Sequence, residues 1–274
     1  MLNKASVLVV CLTTAAAVIF ILVVNSTRRT PRVVFCDVGQ GDAIYIRTPE
    51  QKDVLVDFGP SGKINTCLNH NLPFFDRQVE LAFISHLQKD HAQGLTYVLT
   101  GFQIKELFLP KTTVAENPRL EAEIKKQARL HHIKLSYVSQ NDELTSGKST
   151  FKIVWPSASL AKGLDLSLNE NALGIWATID NKQIGLFSDL GFQNAEKIVE
   201  HEKTKLDVLK INHHGSRYAT SRKFLELADP GVAVISVGKD NWYQHPHKEV
   251  LELLKSLKIP FHRTDVEGSV TIEL

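Results

Sequence analysis

The sequence predicts a mixed α/β (α+β) fold, an αββα sandwich of two β-sheets with helices on the outer faces, preceded by one apolar helix. Three observations predict it. Residues 5–24 form a 20-position run without a charge. After residue 32 the chain gives first a series of short β-branched runs and then a strand–helix alternation. Finally, the residues able to carry chemistry fall at the ends of those strands, where loops collect functional groups.

The apolar run opens the chain. At about 1.5 Å per residue it reaches roughly 30 Å, the thickness of a bilayer's hydrocarbon core. Its alanines fall mid-run, Asn25, Ser26 and Thr27 follow it, and the LVVC ending at Cys11 is a poor lipoprotein box. A retained single-pass anchor is therefore expected rather than a cleaved signal peptide. The expected division is residues 1–31 as anchor and flank and 32–274 as one continuous domain, without repeats or a Pro/Gly-rich linker. Lys4 flanks one side of the run, while Arg28, Arg29 and Arg32 flank the other, which leans toward a cytoplasmic domain.

VVFC (33–36), AIYIR (43–47) and DVLVDF (53–58) are separated by Gly/Pro turns and predict hairpins, and ELAFIS (80–85) predicts a further strand. Residues 120–131 carry helical spacing, KLSYV (134–138) returns as a strand, and FKIVW, GIWATI and QIGLFS continue the series. Helices are expected at 194–202, at 221–228 with Ser221 as N-cap, and at 247–257. They alternate with strands LDVLKIN (206–212) and GVAVISVG (231–238).

Hydrophobic residues make up 43% and charged residues 23% of the 274, enough apolar content for a core. A net charge of +2 supplies no global attraction for nucleic acid or acidic substrates. The three cysteines, Cys11, Cys36 and Cys67, contain no C-x-x-C pair, which excludes a zinc knuckle or thioredoxin-type motif. Unpaired thiols are the expectation, with Cys67 in a polar loop and a Cys36–Cys67 disulfide as the alternative.

Polar clusters follow the predicted strands: DVGQGDA (37–43), VDFG (56–59), SHLQKDH (85–91), SDLG (188–191), INHHGS (211–216) and NWYQHPH (241–247). Imidazoles and carboxylates are the ligands of a hydrolytic divalent-metal site. Each cluster is weak evidence alone; in this order, each after a strand, they are strong. Ser216, His245 and His247 are candidate donors to a phosphate, with turn and capping roles as the other reading.

These motifs carry a resemblance. DVGQGDA, the Asp57-Phe58-Gly59 turn, the loop from Ser85 to Gly94, Ser188-Asp189, LKINHHGS (209–216), NWYQHP (241–246) and TDVEG (264–268) are similar to the metallo-β-lactamase superfamily. Within it they resemble the C-terminal hydrolase domain of the DNA-uptake competence family, ComEC. The resemblance runs from Val33 to the end. It implies the metallo-β-lactamase sandwich and metal ligands at His86, Asp90, His91, Asp189 and His213 or His214. The adjacent histidines are not separable by sequence, since strand neighbours face opposite ways. It implies Asp57 as a buried orienter, with Asp42 similar. Asp90, Asp189 and His245 are the expected catalytic residues. Gln88 and Ser216 are expected just behind the ligands, and Asn241, Tyr243 and His247 toward substrate. The resemblance further implies zinc or manganese, a DNA or other phosphodiester substrate, an extracytoplasmic domain at the membrane, and a separate channel protein as partner.

The pattern breaks at Gln88, where the family has His or Asp and a neutral amide is a poorer ligand. Ser188 stands in a glycine's place, and Ala172 removes a polar group from a stretch, begun by Asn169, that often ends in serine. One well-held ion is expected, with the second weak or absent. The leading expectation is a phosphodiesterase or nuclease-like hydrolase; the alternative is a catalytically inactive binding module. A superfamily hydrolase of lactones, thioesters or β-lactams is the third.

Overall fold

The computed structural model describes residues 3–27, 30–73, 75–111, 117–156 and 169–274, without the side chains of 4, 5, 7 and 21–27. The chain opens with helix α1 (Lys4–Thr27). Leu8, Leu12, Ile19 and Phe20 on it are at least 60% exposed, so among the described residues nothing covers these side chains. Among the described residues no helix is long and apolar enough to cross a membrane. Part of the expected anchor, the side chains of 21–24, lies outside them.

Two seven-stranded sheets follow. The first contains β1 (Arg32–Phe35), β2 (Ile44–Arg47), β3 (Asp53–Val56), β4 (Gln78–Phe83), β5 (Gln103–Pro110) and β6 (Lys134–Val138). The second contains β7 (Glu143–Ser146), β8 (Ser149–Trp155), β9 (Gly174–Ile179), β10 (Lys182–Leu186), β11 (Val208–Lys210), β12 (Val232–Ile235) and β13 (Phe261–Arg263). The last strand, β14 (Val270–Glu273), returns to the first sheet and pairs antiparallel with β1, Arg32 opposite Glu273. The orders are β14-β1-β2-β3-β4-β5-β6 and β13-β12-β11-β10-β9-β8-β7.

Each sheet changes character midway. The β14 to β3 pairs are antiparallel and β3 to β6 parallel; β7 to β10 are antiparallel and β10 to β13 parallel. Parallel neighbours need crossovers. They are α2 (Lys63–Asn71), α3 (Lys89–Ala92) with α4 (Leu95–Val98), and α5 (Pro118–Leu130) on one sheet, and α6 (Phe192–Glu202), α7 (Arg222–Ala228) and α8 (Lys248–Ser256) on the other. A short α9 (Thr264–Glu267) precedes β14.

Period-two alternation builds the layers. Val33, Phe35, Ile44 and Val54 join Phe83, Phe108, Phe151, Ile175 and Val208 in the core between the sheets. Their strand neighbours Val34, Cys36, Tyr45 and Leu55 pack with Ile64, Leu68, Leu95 and Ile124 of α2, α4 and α5. The outer face of the second sheet buries Leu209, Ala233 and Ile235 against Ile198, Phe224 and Leu254 of α6, α7 and α8. Both faces are covered, which is why these strands read as continuous apolar runs. The expected αββα sandwich is the observed one.

The expected Ser221 cap is present, and Asn117, not singled out in the sequence, caps another helix. Ser221 accepts from the Phe224 amide at 2.9 Å and Asn117 from that of Leu120 at 3.2 Å, starting α7 and α5. Helix α2 carries no side-chain cap, and the sequence reading put Cys67 in a polar loop there. Cys67 is instead buried on α2 and forms a disulfide with Cys36, 5.8 Å between Cα atoms, so the unpaired-thiol expectation was wrong for this pair. Strand β11 is shorter than expected, because the chain turns tightly at Asn212–Gly215.

Candidate metal centre

The parallel strands of both sheets point their C-terminal ends to one place, the position where α/β sheets gather ligands. Asp57 follows β3, Ser85 and His86 follow β4, Ser188 and Asp189 follow β10, and His213 and His214 follow β11. Loop 37–43 after β1 closes over them. Gly41 lies against the Asp90 carbonyl with φ +133°, and a Cβ there would sit 2.1 Å from that oxygen. The Asp42 amide donates to the same oxygen at 3.2 Å.

Hydrogen bonds behind the rings set their tautomers. His91 Nδ1 donates to Asp57 Oδ2 at 2.8 Å, and His214 Nδ1 donates to the Ser236 carbonyl at 2.9 Å. Ser85 Oγ donates to Asp57 Oδ2 at 2.7 Å, so it can only accept from His86 Nδ1, at 2.9 Å, and from Ser188 Oγ, at 2.8 Å. In its neutral form each ring is left with Nε2 as the ligand nitrogen. The Nε2 atoms of His86, His91 and His214 are buried and have no hydrogen-bond partner among the described residues, and neither has Asp189 Oδ1.

These atoms converge. His91 Nε2 lies 3.4 Å from Asp189 Oδ2 and 3.9 Å from Asp90 Oδ2; His214 Nε2 lies 3.6 and 3.7 Å from the same oxygens. His213 Nε2 is 3.7 Å from Asp189 Oδ2. Two ligands about 2.1 Å from a tetrahedral ion are about 3.4 Å apart, so the spacing fits an ion at their centre. Asp42, His91, Asp189 and His214 also offer atoms all within 4.8 Å of one another. Asp42, however, faces the Nδ1 side of the rings, 3.7 Å from His91 and 3.5 Å from His214, and pairs with Lys210 Nζ at 2.7 Å. Asp90 faces the Nε2 side, which makes it the better donor.

The electrostatics match. Burial disfavours charge on His91 and His214, yet the Asp189 carboxylate beside both outweighs it and raises both pKa values. Asp189 is held well below the usual carboxylate range by His214 and His91 despite complete burial. Asp90, against the same opposing burial, is held at about 2 by the facing imidazoles of His214 and His91. Burial pushes His86 down to about 3 and His245 to about 4, so both are neutral at pH 7. Lys210 is paired with Asp42, while Asp90 and Asp189 lie on the Nε2 side of the rings. Two carboxylates and two imidazoles converging on one point suit a divalent cation.

No protein-family model matches the chain. It is 29% identical over 252 residues to ComE operon protein 3 of Bacillus subtilis, covering 85% of this chain and 32% of that protein. It is 27% identical over 251 residues to Recombination protein 2 of Haemophilus influenzae, covering 90% of this chain and 29% of that protein. The chain thus spans about a third of the length of these relatives. The metallo-β-lactamase fold protein YhfI of Bacillus subtilis superposes with a TM-score of 0.60 at 12% identity, covering 89% of this chain and all of that one. This is a metallo-β-lactamase fold. The chain resembles ComE operon protein 3 in sequence.

Within this metallo-β-lactamase fold the remaining expected residues separate into groups. Gln88 sits at the rim, its amide donating to Asn169 Oδ1 at 2.7 Å. His86 lies tilted beside His91, 4.2 Å between ring centroids, without belonging to the four-residue cluster. His213 and His214 do not face opposite ways, as a strand would require. Both adopt left-handed backbone, φ 46° and 54°, and both reach Asp189; His214 is buried and His213 half-open. Ser188 is also left-handed, φ 49°, the conformation for which glycine is favoured.

Ser216 Oγ accepts from the Tyr218 amide at 3.3 Å, a turn contact. Asn241 is occupied with backbone, accepting from the His245 amide and donating to the Gly238 and His245 carbonyls. His247 Nδ1 accepts from the Arg217 amide at 3.2 Å. His245 faces the centre, 5.6 Å from the His213 ring, and its Nδ1 is buried without a partner among the described residues. Lys210 was missed as a site residue. It is buried, bridging Asp42 to the Ser188 and Ile211 carbonyls, and the sole signal was its place inside the LKINHHGS motif.

Proposed function

We propose that this chain is a metal-dependent phosphodiester hydrolase that acts with one tightly held divalent cation, zinc or manganese. The convergence of His91 Nε2 and His214 Nε2 on the carboxylates of Asp90 and Asp189 carries the reading. Asp90, His91, Asp189 and His214 would hold the ion, with His213 beside them. When bound, such an ion makes a nucleophile available from water near pH 7 and polarises a phosphoryl oxygen. Asp57 and Ser236 keep the two imidazoles in the binding tautomer. Lys210 keeps Asp42 charged-paired behind the rings. His245, neutral and open toward the centre, donates a hydrogen bond to a phosphate oxygen as charge develops there.

DNA is the substrate that the resemblance of the His/Asp motifs to the DNA-uptake competence family supports, with a channel protein as the proposed partner. The exposed apolar side chains of α1 favour association with a membrane, the coarser form of the expected anchor. The Cys36–Cys67 disulfide supports an extracytoplasmic, oxidising location for the domain, against the weak lean of the arginine flank.

A second reading, an inactive binding module, is favoured by one observation. Gln88 stands in a ligand position and its amide is engaged by Asn169. Elemental mass spectrometry of chain purified without chelator, beside the Asp90→Ala/His91→Ala double variant, decides between them when joined to a phosphodiester assay with added manganese or zinc. About one ion per chain, lost in the variant and accompanied by cleavage, is expected from a working single-ion site. A folded, metal-free chain that stays inert in excess metal would leave the binding module.

A further inference from the structure

The rings around the metal centre extend beyond it. His245 meets the edge of His213 at 5.6 Å and stacks under Tyr243 at 5.7 Å with 24° between planes. On its other side His245 meets His247 at 4.8 Å, His247 meets Tyr218 at 6.5 Å, and the Arg217 guanidinium lies 5.2 Å over the Tyr218 ring. Trp242, next to Tyr243, is 94% exposed, and Tyr243 and Tyr218 are 62% and 68% exposed. Three large rings thus stand open to solvent, Trp242 and Tyr243 on a loop whose backbone is fixed by three Asn241 hydrogen bonds and Tyr218 after the His213–His214 turn.

We propose that this rim, Trp242 and Tyr243 on one arm and Tyr218 with Arg217 on the other, is a base-stacking subsite that selects unpaired nucleobases flanking the scissile phosphodiester. The inference rests on the hydrolytic reading above, because the rail of rings begins at the metal-facing His213 and His245. Open aromatic faces held rigidly suit flat partners, and every nucleobase has a π-face to offer. A duplex hides those faces in its own stack. The charges argue for stacking over phosphate neutralisation: Arg217 is already paired with Glu249 at 2.8 Å, and the chain's net charge is only +2. A binder of this kind shows a shallow salt dependence, unlike one that works through many lysine–phosphate contacts.

Trp242 supplies its own reporter, since the other two tryptophans, Trp155 and Trp176, are buried. In EDTA, without turnover, a single-stranded oligothymidylate should quench the fluorescence of the full chain. An abasic deoxyribose-phosphate strand and a duplex of the same length should bind less tightly by about 5- to 150-fold, the worth of roughly one stacked base. Anisotropy of a labelled oligothymidylate should show a similar loss with Trp242→Ala and with Tyr243→Ala. Equal binding of the abasic strand, or unchanged affinity in both variants, would overturn the subsite. Binding that disappears with modest salt but ignores the two substitutions would overturn it in favour of simple electrostatic attachment. The two claims fail separately: cleavage of the abasic strand as fast as the thymidylate sinks the subsite alone, whereas intact stacking with no cleavage of either strand sinks the hydrolase alone.

Discussion

Gln88 is a single residue on which catalytic capacity turns. Its neighbours are ready: His86 is neutral at pH 7 and its buried Nε2 is bare, so one more anionic or imidazole ligand would give a second ion a footing. Gln88→His is expected to raise bound metal from about one ion toward two, read by elemental mass spectrometry, because imidazole replaces a neutral amide. No change in stoichiometry would mean that His86 is held too far from the cluster. The motif around Gln88 was legible in sequence because ligand spacing is local. The pairing of Gln88 with Asn169 was not, since 81 residues separate them. The same applies to Lys210: a lysine between leucine and isoleucine gives no hint that Asp42, far away in sequence, will make it a buried cation.

The elements around the centre are tied to it by loop 37–43, and the Cys36–Cys67 disulfide anchors the start of that loop to α2. A cross-link over 31 residues restricts the unfolded chain by about 3.7 kcal/mol in the chain-entropy account, with about 2–4 typically measured. Cys36→Ala/Cys67→Ala is expected to lower the thermal midpoint by roughly 4–16 °C for a domain of this size, followed by calorimetry. A midpoint within a degree of the parent would show that the strand pairing of β1 alone holds the loop. Helix α2 illustrates the limit of reading elements from sequence. Where Ser221 announces α7, α2 begins without a side-chain cap, and packing of Ile64, Cys67 and Leu68 onto the sheet defines it.

For the whole molecule, pH couples the fold to its metal. The folded pKa values of His91 and His214 are raised above the ordinary value of about 6.5, burial being outweighed chiefly by Asp189. In the metal-free protein the stability from these charged contacts is complete below about 6.5 and is lost as pH rises through the folded values. A cation must displace those protons, so its affinity rises with pH over the same range. His86 and His245 act oppositely. Their folded values, about 3 and about 4, leave them neutral above pH 6.5, and acidification from there toward 4 destabilises the fold. Titration calorimetry from pH 6 to 8 in buffers of differing ionisation enthalpy should show proton release on metal binding, with tighter binding at higher pH. Affinity independent of pH would contradict the proton-for-metal exchange.

Two kinds of information met in this chain. Strand periodicity and the Ser221 cap are local properties, so the sandwich could be read before any coordinates, while the expected ligands came from the resemblance of the ordered His/Asp clusters to a known family. What required the tertiary structure was direction and partnership. The left-handed turn that aims His213 and His214 at the same carboxylate, the Nδ1 anchors that bare each Nε2, the placing of Asp42 behind the rings and Asp90 in front, and the Cys36–Cys67 bond all join residues brought together from different strands. Backbone turns and side-chain tautomers are settled by packing and by hydrogen bonds across the sheet ends, energies that no single segment of the chain contains.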